Sequence, residues 1–165
     1  MTCTIKKGSH YCSGWSLGLL HTGTTIMAHN VVFDNNCLIL PGDDTCDRDI
    51  NKLFGWSYGM HQTNSIRIGW RSERGSIHLF AYMYMNGTRV TKSIGWVPVG
   101  TSVPVTAYHD TLLGEVVFIV GGFTIGAGST VRIPWTGCAP CMGYNLRPYF
   151  GGNCSAPANM TIKLD

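Results

Sequence analysis

The segment 65–90 constrains the fold more than any other part of this 165-residue chain. Apolar residues occupy every second position from 66 to 70, which is the period of a half-buried β-strand. A turn then leads to a second, longer strand over residues 77–85. Asn86 and Gly87 follow it, the dipeptide most typical of a tight β-hairpin turn. The segment therefore predicts an antiparallel meander.

The second strand of this meander has no polar face. One face is aliphatic, and the other is aromatic and carries His78, Phe80, Tyr82 and Tyr84. A strand that is apolar on both sides typically lies inside a sheet whose two faces are both covered. The aromatic face could instead form a concave surface that binds a sugar through its flat rings and hydroxyl groups. Packing is the favoured interpretation, because aromatic stripes more often belong to a core.

Composition extends the β-strand prediction to the whole chain. Charged residues make up only 13%, and there are 21 glycines, a balance typical of all-β proteins with glycine at turns and bulges. The sequence has no internal repeat of the kind that would indicate a propeller. We predict one domain over residues 1–165, an all-β, two-sheet antiparallel β-sandwich of the jelly-roll, concanavalin-like kind with about 10–12 strands.

The charge and hydropathy patterns exclude several classes of partner. A net charge of +3 is too small to predict nucleic-acid binding. No apolar stretch is long enough to cross a membrane, and the N-terminus lacks the apolar core of a signal peptide. We therefore predict no nucleic-acid partner, no membrane partner and no secretion by a signal peptide. The low charge favours a surface that packs against other proteins.

The cysteines and acidic residues indicate no definite metal site. The chain has seven cysteines, and an odd number without a leader favours free thiols. Cys138 and Cys141 form a CxxC without the second pair of a strong zinc pattern, so a metal or a disulfide involving Cys138, Cys141 or Cys154 stays open. The acidic segment 43–49 is predicted to be a solvated loop, and calcium binding by its carboxylates is the alternative. We predict no cofactor and no metal.

Residues 37–40, which begin with Cys37, are predicted to form a further strand.

Catalytic motifs are missing from the sequence. Glycoside hydrolysis needs two placed carboxylates, and no such pair lies on a predicted strand. No serine or cysteine stands in a recognisable nucleophile motif. We therefore predict a non-enzymatic protein. For the less favoured hydrolase or lyase, the one same-face pair is His78 with Tyr82.

If the chain binds a glycan, aromatic rings would stack on the sugar and polar side chains would supply hydrogen bonds. The candidate ligand-binding residues are His61, Asn64, Arg67, Trp70, Arg71, His78, Tyr82 and Tyr84.

Several segments resemble a known group of proteins. These segments are residues 49–55, 64–71, 77–87 and 149–157, followed by 160–164. In this order they resemble short concanavalin-like β-sandwich proteins of gut and marine bacteria and their tailed phages. The resemblance runs from about residue 47 to the end and leaves the role of residues 1–46 open.

The resemblance implies an auxiliary role on the virion, either decorating or cementing the particle, after assembly in the host cytoplasm. The partners would be other virion or coat proteins, with self-association and a glycan as further possibilities. The leading hypothesis is thus a non-enzymatic structural protein of a phage particle. The alternative is a carbohydrate-binding module that uses the aromatic concave face, and a glycan hydrolase or lyase is third.

Overall fold

A computed structural model of the chain describes residues 1–13, 20–38, 49–121 and 129–165. Residues 43–48 of the acidic loop and residues 39–40 of a predicted strand lie outside the described residues. In the described part, no helix is long and apolar enough to cross a membrane.

Almost all regular structure in the described ranges is antiparallel β-strand. In chain order the strands are β1 (Thr2–Ile5), β2 (Cys12–Ser13), β3 (Leu20–Thr22), β4 (Ile26–Phe33), β5 (Asn51–Ser57), β6 (Ser65–Glu73), β7 (Ser76–Met85), β8 (Thr88–Val97), β9 (Val103–Asp110), β10 (Glu115–Val120), β11 (Ser129–Pro134), β12 (Met142–Leu146) and β13 (Met160–Leu164). Sheet A has seven strands in the order β11-β10-β9-β4-β13-β1-β2. Sheet B has six strands in the order β3-β12-β5-β6-β7-β8. The predicted all-β, two-sheet antiparallel sandwich is confirmed.

The predicted meander forms the centre and one edge of sheet B. β6 pairs with β7 in register from Ser65 opposite Tyr84 to Glu73 opposite Ser76. β7 then pairs with β8 after a turn at Asn86 and Gly87, which have φ of 50° and 80°. Positive φ at both central residues is what a tight hairpin turn requires, and asparagine followed by glycine adopts it at low cost.

The core lies between the two sheets and follows from the period of the strands. Alternate residues of β6 point inward, so Trp70 is fully buried with Ile66 and Ile68. The Trp70 ring lies 5.2 Å from the ring of Phe33 on β4 of sheet A and 6.1 Å from that of Phe150. This placement corrects the prediction that Trp70 stacks on a sugar, because its side chain fills the space between the sheets.

The expectation of free thiols is wrong at Cys3 and Cys12, and at Cys154 the alternative of a disulfide holds. Cys3 and Cys12 form a disulfide, and Cys154 is also disulfide-bonded. β1 and β2 are adjacent antiparallel strands, which brings the Cα atoms of Cys3 and Cys12 to 5.4 Å, within the usual range for a disulfide. Cys37 is a free, buried thiol.

A local prediction also fails at Cys37. The structure has a short 3-10 helix over Asn35–Cys37, and its last residue is the first residue of the predicted strand over 37–40. The thiol of Cys37 donates to the carboxylate of Asp34, and the backbone N–H of Thr161 donates to the same carboxylate. These side-chain contacts stabilise a turn in place of a ladder.

We expect Trp70→Ala to lower the free energy of unfolding by about 3–5 kcal/mol, because it leaves a large cavity between the sheets. Urea denaturation followed by fluorescence measures this loss. Trp96→Ala is the matched control, since Trp96 is only partly buried, and it should cost clearly less. Equal losses for the two variants would contradict the assignment of Trp70 to the core.

Candidate functional site

The aromatic side of β7 faces away from sheet A and is called the outer face of sheet B. Phe80 and Tyr82 are only 7% and 6% exposed, yet neither belongs to the core cluster between the sheets. They are therefore covered on the outer face itself. Gly69 of β6 lies on this face, where an added Cβ would meet the side chain of Ile50 at 2.4 Å. This glycine lets Ile50 lie close to the sheet.

A pocket of about 320 Å³ opens on this face. Its walls come from strands β5, β6 and β7, from the loop between β5 and β6, and from the two segments that contain Tyr11 and Tyr149. The lining residues, here named the outer pocket, are Tyr11, Lys52, His61, Gln62, Ser65, Arg67, Tyr82, Tyr84 and Tyr149. The lining combines aromatic rings with hydrogen-bonding groups and two cationic side chains.

Arg67 is the most deeply buried charge of the outer pocket, with 9% of the residue exposed. It stands opposite Tyr82 in the β6–β7 ladder. Its Nη2 donates to the carbonyl of Arg147 at 2.8 Å. Burial lowers the pKa of Arg67 to about 10, against the opposing influence of Tyr82 and Tyr144. The guanidinium is therefore still charged at neutral pH.

Two polar atoms of the outer pocket are buried without a partner among the described residues. They are Nε of Arg67 and Oγ of Ser65. Ser65 is 1% exposed and precedes Arg67 by two positions on β6, so both side chains point to the outer face. Buried polar groups in proteins are nearly always satisfied. Both donors would therefore gain a partner if an acceptor bound in this pocket.

Lys52 is the second cation of the outer pocket. Its Nζ donates to the carbonyl of Gly151 at 3.0 Å and lies 5.1 Å above the ring of Tyr82 and 5.6 Å from that of Tyr149. Burial lowers the pKa of Lys52 to about 8, and Arg67 contributes in the same direction. The ammonium group is thus held in a partly dehydrated, aromatic environment.

Tyr82 and Tyr84 form the aromatic floor of the outer pocket. Their rings meet edge to face, with centroids 6.0 Å apart. Burial raises the pKa of Tyr82, and its hydrogen bond with Tyr84 adds to this effect. The phenol of Tyr82 is therefore neutral at pH 7.

A histidine and a tyrosine meet at the rim of the outer pocket. The Nδ1 of His61 lies 2.5 Å from the hydroxyl of Tyr144, and the two rings are perpendicular. Burial lowers the pKa of His61, and the charge of Arg67 lowers it further. The imidazole is therefore neutral at pH 7.

Tyr11 and Tyr149 form the remaining wall and come from segments far apart in the sequence. Tyr149 is bound to β5 by two backbone hydrogen bonds with Lys52, and it forms an isolated bridge with Tyr11. The Tyr11 ring meets that of Tyr149 edge to face at 5.2 Å, and Tyr11 remains 51% exposed. Tyr149 is therefore held in place by backbone hydrogen bonds, while the side of the wall formed by Tyr11 is accessible from solvent.

A second polar group occupies the other end of the outer face. Glu73 accepts hydrogen bonds from Arg71 and lies 2.9 Å from Nδ1 of His78. The His78 ring is stacked on Trp96 at 4.0 Å, and its Nε2 contacts Ser93. The hydrogen bonds from His78 and Arg71 lower the pKa of Glu73. The polar groups of these side chains bond to one another, so few of their donors and acceptors remain for a ligand.

The predicted site residues are thus divided among four places. The outer pocket contains His61, Arg67, Tyr82 and Tyr84. Arg71 and His78 belong to the second polar group, so the His78–Tyr82 pair considered for a hydrolase or lyase is not assembled. Asn64 is buried immediately before β6, where its side-chain oxygen accepts a hydrogen bond from the backbone N–H of Asn86. Trp70 lies in the core between the sheets.

Sequence reasoning missed five lining residues as ligand-binding candidates: Tyr11, Lys52, Gln62, Ser65 and Tyr149. Lys52 precedes an irregularity in the β5–β6 pairing, so simple alternation does not predict which way it points. Ser65 could have been predicted from the sequence, because it lies two positions before Arg67 on the same strand and its side chain therefore points to the same face. Tyr11 and Tyr149 reach the pocket only through long-range backbone bridges.

The described residues contain no group of three or more histidine, cysteine or acidic side chains that could hold a metal ion. Cys138 and Cys141 are free thiols there. The calcium alternative for residues 43–48 lies outside the described residues. Asp49, at the end of that loop, accepts the backbone N–H of Gly152.

Comparisons with known proteins give little. No family model matches the sequence, and no curated protein matches it. One solved structure that aligns with it is the CBM2 module of the evolved Dit of Lactobacillus casei BL23 phage J-1, with a TM-score of 0.44 and 12% sequence identity over 99% of this chain and 68% of that chain. A likeness this distant carries no information about ligand or partner.

We expect Arg67→Met to leave the free energy of unfolding at pH 7 unchanged or to raise it by about 1–3 kcal/mol. A methionine fills similar space without the cost of burying a charge. Urea denaturation checks this, with Arg67→Ala as the control that should destabilise the fold by leaving a cavity. A loss above about 2 kcal/mol in Arg67→Met would instead mean that the guanidinium holds the fold together.

Proposed function

We propose that the chain is a non-enzymatic glycan-binding protein whose ligand occupies the outer pocket. The observation that carries the proposal is the lining itself, which joins tyrosine rings to hydrogen-bond donors that lack a partner among the described residues. Its volume of about 320 Å³ is within the range of small-ligand sites.

The chemistry of the lining suits a sugar. A sugar ring has an apolar face formed by C–H groups and a rim of hydroxyl groups. Tyr82, Tyr84 and Tyr149 offer rings with a polar tip, which contact such a face and still donate a hydrogen bond. Gln62 is exposed at the mouth, where its amide can both donate to and accept from hydroxyl groups.

Binding without turnover is supported by the same lining. General acid–base hydrolysis needs two carboxyl groups flanking the bond, and none of the nine lining residues is acidic. Glu73 is engaged by Arg71 and His78 in the second polar group. The third hypothesis is a glycan hydrolase or lyase, and a lyase would have to use the His61–Tyr144 pair at the rim.

We expect Tyr84→Ala to weaken glycan binding by about 3–10-fold, because the floor loses one ring and one hydroxyl. A glycan array selects the ligand, and calorimetric titration gives the dissociation constants. Tyr108→Ala is the matched control, since Tyr108 is a partly buried tyrosine on β9 of sheet A. Absence of any glycan ligand, or equal loss in both variants, would contradict the proposal.

The same preparation tests the absence of turnover. The bound oligosaccharide is incubated with the protein, and its mass is measured by mass spectrometry over time. We expect the ligand to stay intact. A shortened product, or ultraviolet absorbance from an unsaturated sugar end, would show a hydrolase or lyase and overturn the non-enzymatic part of the proposal.

A second candidate function is the structural role on a phage particle that the sequence resemblance implies. The observation that favours it is a pair of adjacent exposed leucines on the β9–β10 turn, Leu112 at 95% and Leu113 at 69% exposure. The carboxylate of Asp110 accepts the backbone N–H of both residues, so the turn presents them in an ordered conformation. Exposed apolar groups of this kind suit burial against neighbouring subunits.

For this second candidate we expect the purified chain to self-associate in native mass spectrometry. The double change Leu112→Ser and Leu113→Ser should reduce the oligomer, because it removes the apolar contact. Leu20→Ser is the control, as Leu20 is also exposed, at 77%, but lies on β3 of sheet B. A wild-type chain that stays monomeric at the highest concentration reached would contradict self-association.

A further inference from the structure

We propose that the ligand of the outer pocket is an anionic saccharide, whose carboxylate or sulfate group is bound between Arg67 and Lys52. This inference rests on the proposed glycan-binding function and names the class of ligand. It follows from three independent features of the pocket: its uncompensated cations, its unpartnered donors and its aromatic walls.

The first feature is the charge of the lining. Arg67 and Lys52 are its two cationic side chains, and no acidic side chain accompanies them in the lining. Each is bound through a neutral carbonyl, that of Arg147 for Arg67 and that of Gly151 for Lys52. No ion pair between either cation and a carboxylate is found among the described residues. The carboxylate of Asp49 acts on Lys52 only from beyond ion-pair distance. A buried cation without a paired counter-ion is costly, and an anionic ligand would compensate it.

The second feature is the pair of unpartnered donors. Arg67 has one guanidinium edge occupied by the Arg147 carbonyl, which leaves Nε free within the described part of the chain. Oγ of Ser65 also has no hydrogen-bond partner among the described residues. An oxyanion has several lone pairs and accepts hydrogen bonds from charged donors more strongly than a neutral hydroxyl does. The two donors therefore suit a carboxylate or a sulfate ester better than a sugar hydroxyl.

The third feature is the arrangement of aromatic rings around the cations. Lys52 lies over the rings of both Tyr82 and Tyr149, so the positive charge is next to the surfaces on which a sugar ring would stack. A free inorganic anion would use the cations but not the rings. A charged sugar uses both, which is why the saccharide is the better fit.

The charge of the pocket depends on pH through Lys52. The titratable and charged groups that act on Lys52 are Arg67, Arg89, Asp49 and the neighbouring phenols of Tyr82 and Tyr149. The pKa of Lys52 is about 8, so its charge is present at pH 7 and is mostly lost by pH 9. Affinity for an anionic saccharide should therefore fall over this interval, whereas affinity for a neutral one should not.

The experiment is calorimetric titration of the full chain at low salt and pH 7 with oligosaccharides of equal length. The arms are a neutral glucan, an oligouronate and a sulfated oligosaccharide, with sodium sulfate and sodium acetate alone as the small-anion probes. We expect at least one charged saccharide to bind at least 10-fold more tightly than the neutral one and than either small anion. The uronate and sulfate arms identify which acidic group is bound.

Arg67→Met and Lys52→Met are each expected to weaken binding of the charged saccharide by about 10–100-fold, because each removes a charge-assisted hydrogen bond. Arg132→Met is the control, since Arg132 pairs with Glu115 on sheet A, and it should bind as the wild type does. Circular dichroism confirms folding, and Lys52→Met decides the matter if Arg67→Met fails to fold.

The outcomes separate this inference from the proposal on which it rests. Equal affinity for neutral and charged saccharides, unchanged in Lys52→Met, would overturn the anionic ligand and keep the glycan site. Inorganic sulfate or acetate binding as tightly as every saccharide would overturn the inference in favour of a simple anion site. No binding in any arm, together with an empty glycan array, would overturn both.

Discussion

The in-register pairing of β6 with β7 determines both the core and the outer pocket. It places Trp70 opposite Leu79 on the inner face and Arg67 opposite Tyr82 on the outer face. Because side chains alternate along a strand, a slip of one residue would exchange the two faces and put the guanidinium between the sheets. The tight turn at 74–75, which connects β6 to β7 and has a positive φ at both residues, excludes such a slip. The local turn geometry thus decides where the charge lies.

Burying two cations costs stability, and this cost is visible in their pKa values. Burial lowers the pKa of Lys52 from 10.5 to about 8 and that of Arg67 to about 10. The unfolded chain therefore holds the Lys52 proton more tightly, and the contribution of Lys52 to stability rises as pH increases from about 8 to 10.5. Packing alone would be served as well by apolar side chains, so a ligand is the simplest reason for these charges.

The fold could be predicted from the sequence because its signals are local. The alternation in β6, the apolar and aromatic faces of β7 and the turn at Asn86 depend only on neighbours in the chain. The same alternation places Trp70 with Ile66 and Ile68, so its burial was available from the sequence and should have removed it from the sugar-binding candidates. The sequence also pointed to four pocket residues, His61, Arg67, Tyr82 and Tyr84, since all lie on or next to the meander.

The rest of the site could not be predicted because it depends on long-range contacts. Tyr149 reaches Lys52 through a bridge between residues nearly one hundred positions apart, and Tyr11 is held in turn by Tyr149. The orientation of Lys52 depends on an irregularity of the β5–β6 ladder. The Cys3–Cys12 disulfide depends on the pairing of two very short strands, which leave almost no periodic signal.

The most direct test of this account is a crystal structure of the chain bound to an acidic oligosaccharide. We expect density for a sugar ring against Tyr82 and Tyr149, with its acidic group between Arg67 and Lys52 and within hydrogen-bond distance of Nε of Arg67. A saccharide bound at the second polar group around His78 and Trp96, or one whose acidic group points into solvent, would contradict it.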